Sequence, residues 1–169
     1  DVAVANDGSF YVSDGYGNSR IIKFSKDGSY QFEWGAFGNE KSQFNIPHGL
    51  DLDNNGNVYV LDRNNFRVMK WAPGSSEGVI VAGDGSYGST NNRFQWSHHM
   101  TIDKEGNIYI VDTENHRIMK WSPSDTEGKI LWGGENSGSA NNQLSHPAAM
   151  GTDSSGDIYV MDYGNRRVQ

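Results

Sequence analysis

The sequence predicts an all-β fold assembled from a repeated four-stranded unit. Three observations carry that expectation. A six-residue segment ending in Asp recurs four times at nearly constant spacing. Ile and Val together number 21 against 5 Leu, a ratio that favours strands, because β-branched side chains fit a pleated surface and Leu favours helices. Gly accounts for 21 of 169 residues, well above the usual share of about 7%, which implies many tight turns.

The repeat places the elements in order. Ser9-Phe10-Tyr11-Val12-Ser13-Asp14 returns as Asn57-Val58-Tyr59-Val60-Leu61-Asp62, as Asn107-Ile108-Tyr109-Ile110-Val111-Asp112 and as Asp157-Ile158-Tyr159-Val160-Met161-Asp162. The preceding glycines, Gly8, Gly56, Gly106 and Gly156, are spaced 48, 50 and 50 apart. Five or six residues after each Asp stands an Arg (Arg20, Arg67, Arg117, Arg167), followed by Ile or Val. The extra residue of the first copy falls in Gly15-Tyr16-Gly17, a turn, where insertions are tolerated.

Each unit reads as four short strands. The first is apolar, as in Gly49 to Leu52, His99 to Ile102 and Ala149 to Thr152. A turn such as Asp53-Asn54-Asn55-Gly56 follows, its Gly supplying positive φ. The second strand alternates (Val58, Tyr59, Val60). The third runs from Arg67 to Trp71 and from Arg117 to Trp121. The fourth covers Val79 to Ala82 and Lys129 to Trp132, with Tyr30 to Trp34 as its first copy. No segment carries a helical period. Four-stranded units recurring every 40 to 50 residues or so mark a β-propeller blade. The length corresponds to about 3.4 blades, at approximately 1–47, 48–97, 98–147 and an incomplete 148–169. The expectation is a partial propeller belonging to a larger ring, since an open arc would expose apolar blade faces.

The pattern D-x-x-G-N-[IV]-Y-[IV]-x-D followed by N-x-R-[IV] resembles the NHL repeat over nearly the whole chain. That resemblance implies a ring of blades, commonly six.

Composition narrows the function. The net charge is −7, with acids and bases interspersed. No nucleic-acid partner is expected, because phosphate binding needs clustered Lys and Arg. No run of 18 apolar residues is present to span a membrane. The absence of Cys excludes disulfides, thiol catalysis and cysteine-bound zinc. No secretory signal is visible, and the chain opens within a strand pattern.

Several residue sets are candidates for chemistry. The pairs Asp14 and Arg20, Asp62 and Arg67, Asp112 and Arg117, Asp162 and Arg167 read as structural, because no catalysis needs one pair per blade. The recurring Tyr11, Tyr59, Tyr109 and Tyr159 read as blade packing. Asp51-Leu52-Asp53-Asn54-Asn55-Gly56 matches the start of a calcium loop, but on a strand leading into a hairpin rather than between helices. His48 and His98 stand at the same register before the first strand of successive units. Imidazoles there crowd the propeller's centre and are zinc-ligand candidates, whereas calcium is the weaker metal expectation. His146 lies two places upstream of that register, where the fourth unit has Ala148, and His116 reads as an exposed turn residue. Trp71, Trp121, Trp34 and Trp132 read as packing between blades. Trp96 replaces Ile46 before a first strand. With His98, His99 and Tyr87 it is a ligand-face candidate, including a sugar platform. The loops Asp84 to Asn92 and Glu135 to Asn142 are rich in Gly, Ser and Asn, as recognition loops often are. No nucleophile–base pair or nucleophile elbow is visible.

The segments Tyr11-Val12-Ser13-Asp14-Gly15-Tyr16-Gly17-Asn18-Ser19-Arg20-Ile21 and Phe44-Asn45-Ile46-Pro47-His48-Gly49-Leu50 resemble the peptidyl-hydroxyglycine amidating lyase propeller. The resemblance implies Arg20 as an active-site residue, His48 as a zinc ligand, and metal-assisted cleavage of a C–N bond. It also leans towards an extracellular location. Gly17 stands where that family has Cys, and Ala148 stands at a ligand register.

The reading that follows is a non-enzymatic binding or scaffold module, with no firm cofactor, presenting loops to a protein, peptide or glycan. One alternative is a zinc-dependent amidating lyase-like enzyme. Another is a structural protein that self-associates through open blade edges, since unpaired edge strands template pairing.

Overall fold

The computed structural model describes residues 1–134, 136–153 and 155–169. Glu135, the first residue of one glycine-rich loop singled out above, lies outside that set. The first sheet is β1 (Val2–Val4), β2 (Phe10–Asp14), β3 (Arg20–Phe24) and β4 (Tyr30–Trp34). The second is β5 (Pro47–Leu52), β6 (Val58–Asp62), β7 (Arg67–Trp71) and β8 (Val79–Ala82). The third is β9 (Met100–Ile102), β10 (Ile108–Asp112), β11 (Arg117–Trp121) and β12 (Lys129–Gly133). The fourth has three strands, β13 (Ala149–Thr152), β14 (Ile158–Asp162) and β15 (Arg167–Val168). Each sheet is an antiparallel meander in chain order, and together they form the blades of a β-propeller arc. Single 3-10 turns at Arg63–Asn65 and Tyr163–Asn165 join the second and third strands of two blades. The sequence gives no sign of them, because one turn is too short to show a period.

The first strands pack against one another: β5 contacts β1 and β9, and β9 contacts β13. The fourth strands lie outermost and are mostly exposed. The core is the set of seams between neighbouring sheets. Val58, Val60, Met69 and Trp71 pack towards the first sheet with Tyr11, Ile21 and Phe44. Tyr59, Leu61, Val68 and Ala82 pack towards the third with Phe94, Met100, Ile110 and Trp121. Successive strand residues point to opposite faces, so a strand sandwiched between two blades needs apolar side chains on both. β6 is accordingly buried along its whole length.

Trp34 and Trp71 lie 6.1 Å apart across the first seam, and Phe94 and Trp121 lie 6.0 Å apart in the second. Trp132, at the register of Trp34, is 47% exposed.

The turn between first and second strands explains the recurring Asp and Tyr together. Asp53 Oδ1 accepts the backbone N–H groups of Asn55 and Asn57, and its Oδ2 accepts the Tyr59 hydroxyl at 3.1 Å. Asp103 repeats the arrangement with Glu105, Asn107 and Tyr109. Such local bonds are why Asp nucleates turns. The carboxylate of Asp51 faces elsewhere, accepting the Thr101 hydroxyl and the Ile102 N–H of the next blade. Asp51 and Asp53 thus hold different parts of the structure, one the next blade and one the turn.

Candidate functional face

The loops before the first strands and the turns between second and third strands lie on one face. A repeated clamp holds them together. Asp62 Oδ1 accepts the Asn45 N–H at 2.7 Å, while Oδ2 accepts Asn65 Nδ2 and Arg67 Nε, each at 2.8 Å. Arg67 then donates to the carbonyls of Asn39, Glu40 and Gln43 in the incoming loop. Asp112 binds Gln95, Asn115 and Arg117 in the same way. Asp162 binds Ser145, Asn165 and Arg167. Asp62, Asp112 and Asp162 are completely buried. Burial pushes the Asp62 and Asp112 carboxyls up, against the pull of their donors. At Asp162 burial also pushes up, but the same kinds of donors prevail and the carboxyl lies below its ordinary value. The clamp ties each incoming loop to the blade it enters, so these Asp–Arg pairs belong to the frame.

Arg20 is the variant of the set. Its Nε binds Asp14 at 2.9 Å and its NH1 binds both oxygens of Glu33. Hydrogen bonds from Asn18 and Arg20 hold the Asp14 carboxyl below its ordinary value.

The frame carries a second regular feature. Two positions of the repeat hold non-glycine residues with positive φ. Ser19, Phe66, His116 and Arg166 end the turn between second and third strands, and Ile46, Trp96 and His146 precede a first strand. Bulky side chains rarely take this conformation, so the backbone, not the side chain, dictates the kink. Glycines close the same corner. Gly83 has φ +77°, and a Cβ there would strike the Phe66 carbonyl; Gly133 meets the His116 carbonyl likewise.

On this frame the side chains differ from blade to blade. The register that holds Arg63 holds Thr113 in the third blade and Tyr163 in the fourth. The register of Trp96 holds Ile46 and His146. Where the second and third blades meet, these residues form one cluster. The Arg63 guanidinium lies 4.6 Å from the centre of the Trp96 ring. Its NH2 is 3.3 Å from His98 Nε2, and His98 Nδ1 is 3.3 Å from the Thr113 hydroxyl. His48 and His98 meet edge to face at 5.4 Å between ring centres, and the Tyr16 hydroxyl is 3.0 Å from His48 Nε2. Tyr16 is 78% exposed and Trp96 45%. Arg63 Nε is buried without a hydrogen-bond partner, as is His99 Nδ1. Burial lowers the pKa of His48, His98 and His99, and the nearby Arg63 charge lowers the first two further.

Tyr87 meets Phe66 edge to face at 5.6 Å. His146 lies with His116 rather than with His48 and His98, the two rings 4.5 Å apart. His116 is half-buried by this contact and not the free turn residue its position suggests. Arg63 was missed in the sequence because it lies inside a repeat. Its signal is the departure from Thr113 and Tyr163 at the same register.

A zinc site needs three or four N, O or S ligands converging with free lone pairs. Here a guanidinium occupies His98 Nε2, Tyr16 engages His48 Nε2, and Ala148 fills the register in the fourth blade. Among the described residues no cluster of three metal-binding side chains forms. Among the described residues, His48 and His98 are each engaged at Nε2 by another side chain of this chain.

Comparison with known proteins agrees with the fold. The NHL repeat family matches residues 44–71. The chain is 44% identical over 81 residues to the probable peptidyl-alpha-hydroxyglycine alpha-amidating lyase of Caenorhabditis elegans, a match covering 46% of this chain and 23% of that protein. It is 39% identical over 71 residues to human NHL repeat-containing protein 3, covering 41% of this chain and 20% of that one. The chain thus spans about a quarter or less of the curated relatives it matches. An auxiliary nutrient binding protein of Bacteroides ovatus superposes with a TM-score of 0.74 at 17% identity, over 99% of this chain and 46% of that one. Among the described residues no helix is long and apolar enough to cross a membrane. The chain is an all-β propeller arc that carries the NHL repeat and is similar, over part of its length, to amidating lyases and to NHL repeat-containing protein 3.

Proposed function

We propose that this chain is a non-enzymatic binding module that presents its loop face to a protein, peptide or glycan. One observation carries the reading: the Asp–Asn–Arg clamp repeats in successive blades, while Arg63 and Trp96, which stack beside His98, occupy registers that differ from blade to blade. Residues that recur satisfy the frame. Residues that diverge on an exposed face, where the fold does not require them, are free to serve recognition. Rigid aromatic rings beside a planar guanidinium are also the side chains that dominate binding surfaces.

The test is binding of the purified chain to immobilised peptide and glycan panels, compared with its Trp96→Ala and Arg63→Ala variants. The reading expects ligands whose binding both substitutions abolish while the fold is retained. Binding that survives both, or no binding in either panel, would count against it.

A second reading, an amidating lyase-like enzyme, is favoured by the 44% identity to such a lyase over 81 residues. Arg20 and His48 occupy the positions the resemblance assigns to that activity. Their side chains have other partners here, Asp14 and Glu33 for Arg20 and Tyr16 for His48. Turnover of a peptidyl α-hydroxyglycine together with stoichiometric zinc would establish this reading and displace the first.

A further inference from the structure

We propose that Arg63 and Trp96 form a binding subsite for the carboxylate of an acidic sugar, a uronate-type pyranose. The inference rests on the binding-module reading and names the ligand class of the same face.

The first argument is charge. Among the described residues Arg63 and Arg166 have no carboxylate within ion-pairing distance, whereas Arg20, Arg67, Arg93, Arg117 and Arg167 each do. The Arg63 guanidinium is held without being neutralised. Trp96 covers one face at 4.6 Å and His98 Nε2 takes one N–H at 3.3 Å. Stacking on an aromatic ring fixes the plane of a guanidinium and leaves its other edge donors for an anion. The chain is strongly acidic overall, at −7, so an unpaired arginine here is a local feature and not one part of a basic surface.

The second argument is the state of the neighbours. His98 accepts from Arg63 at Nε2, so its proton sits on Nδ1, facing Thr113. Burial and the Arg63 charge both lower its pKa. His48 is lowered in the same way, chiefly by burial. The Arg63 guanidinium is the charge that acts on both imidazoles, with Glu114 opposing it at His98 and the N-terminal ammonium adding to it at His48. One unit charge with a planar donor edge matches one carboxylate better than a phosphate dianion.

The third argument is shape. Trp96 and Tyr16 are exposed aromatic surfaces on either side of the imidazoles. Aromatic faces pack the C–H face of a pyranose while permitting polar contacts at the edge. A uronate supplies both the flat apolar face and the carboxylate from a single ring. Arg63 is also unnecessary to the blade, since Thr113 and Tyr163 fill its register elsewhere.

The experiment is an NMR titration of the whole chain, following the indole N–H signals, with methyl β-glucuronide, methyl β-glucoside and an acetylated tripeptide with a free C-terminus. The expected result is saturable binding of the glucuronide, about tenfold tighter than the glucoside, as one charge-assisted contact provides. Arg63→Gln is expected to abolish that preference, and Trp96→Ile to weaken both sugars. Added salt is expected to weaken the glucuronide selectively. Equal affinity for the two sugars, or a preference that survives Arg63→Gln, overturns the proposal. Binding of the peptide acid without the glucuronide also overturns it, but leaves the binding-module reading standing. Absence of all three, with stoichiometric zinc in the purified protein, overturns both.

Discussion

The Nε2 of His98 lies 3.3 Å from the Arg63 guanidinium, so this nitrogen accepts a hydrogen bond from a cation. A cation beside an imidazole opposes its protonation. Burial, the Arg63 charge and His48 together hold the His98 pKa below its ordinary value. NMR titration of the His98 ring is expected to show that depressed value in the native chain. In Arg63→Gln it is expected to move up towards about 6.5 without reaching it, because burial remains. An unchanged value would mean that the two side chains do not meet in solution.

The clamp predicts a large structural cost at a site with no ligand. Asp112→Ala leaves the buried Arg117 guanidinium without its carboxylate, strands the Gln95 N–H and leaves Asn115 Nδ2 with the Gly88 carbonyl alone. Removing one partner of a buried pair typically costs about 3–5 kcal/mol. Urea unfolding should show a loss of that size. A loss below about 1 kcal/mol, the usual range of an exposed pair, would place the pair outside the frame.

The blades themselves offer a stabilising change. Pro47 opens the first strand of one blade and Pro147 precedes that of another, and Ser97 stands at the same register in the blade between them, fully buried with its hydroxyl unpaired. Ser97→Pro removes that orphaned hydroxyl and restricts the unfolded chain at a backbone position that already takes proline in the neighbouring blades. The expected gain is about 0.4–1 kcal/mol. Thermal unfolding would check it, and a lowered Tm would show that the Ser97 backbone differs from its two counterparts.

The strands were legible because the repeat supplies several independent copies of each signal. Asp112 and Arg117 could be read as a pair for the same reason. The carbonyls that Arg117 reaches, on Thr90 and Arg93, could not. They lie in the loop arriving from the previous blade, and no local pattern marks contacts across 24 or 27 residues. Arg63 was hidden differently. It stands between two residues of the repeat and reads as an ordinary turn residue until the fold sets it beside Trp96, 33 positions on. The His116–His146 contact was invisible because both residues depend on positive-φ corners that no residue type there announces.

The histidines predict a pH dependence with a definite sign. His48, His98, His99 and His116 all have pKa values lowered by burial in the folded chain. The unfolded chain therefore binds protons more readily than the folded one below about pH 6.5. Their contribution to stability is fully present above that pH and is lost progressively as pH falls through the lowered values. Arg63 beside His98, and His146 beside His116, add repulsion once the rings charge. Urea midpoints at pH 7.5, 6.5 and 5.5 should fall in that order. A flat profile would show that these rings are not buried in solution.

The separation of frame from face is tested most directly by two substitutions four residues apart. Arg63→Thr installs the residue that the third blade carries at that register, and Arg67→Thr breaks the clamp. Measured together for stability and for methyl β-glucuronide binding, Arg63→Thr should stay within about 1 kcal/mol of the native chain and lose the sugar. Arg67→Thr should lose about 3 kcal/mol or more. An Arg63→Thr chain that unfolds, or one that binds the glucuronide as the native chain does, would contradict the account.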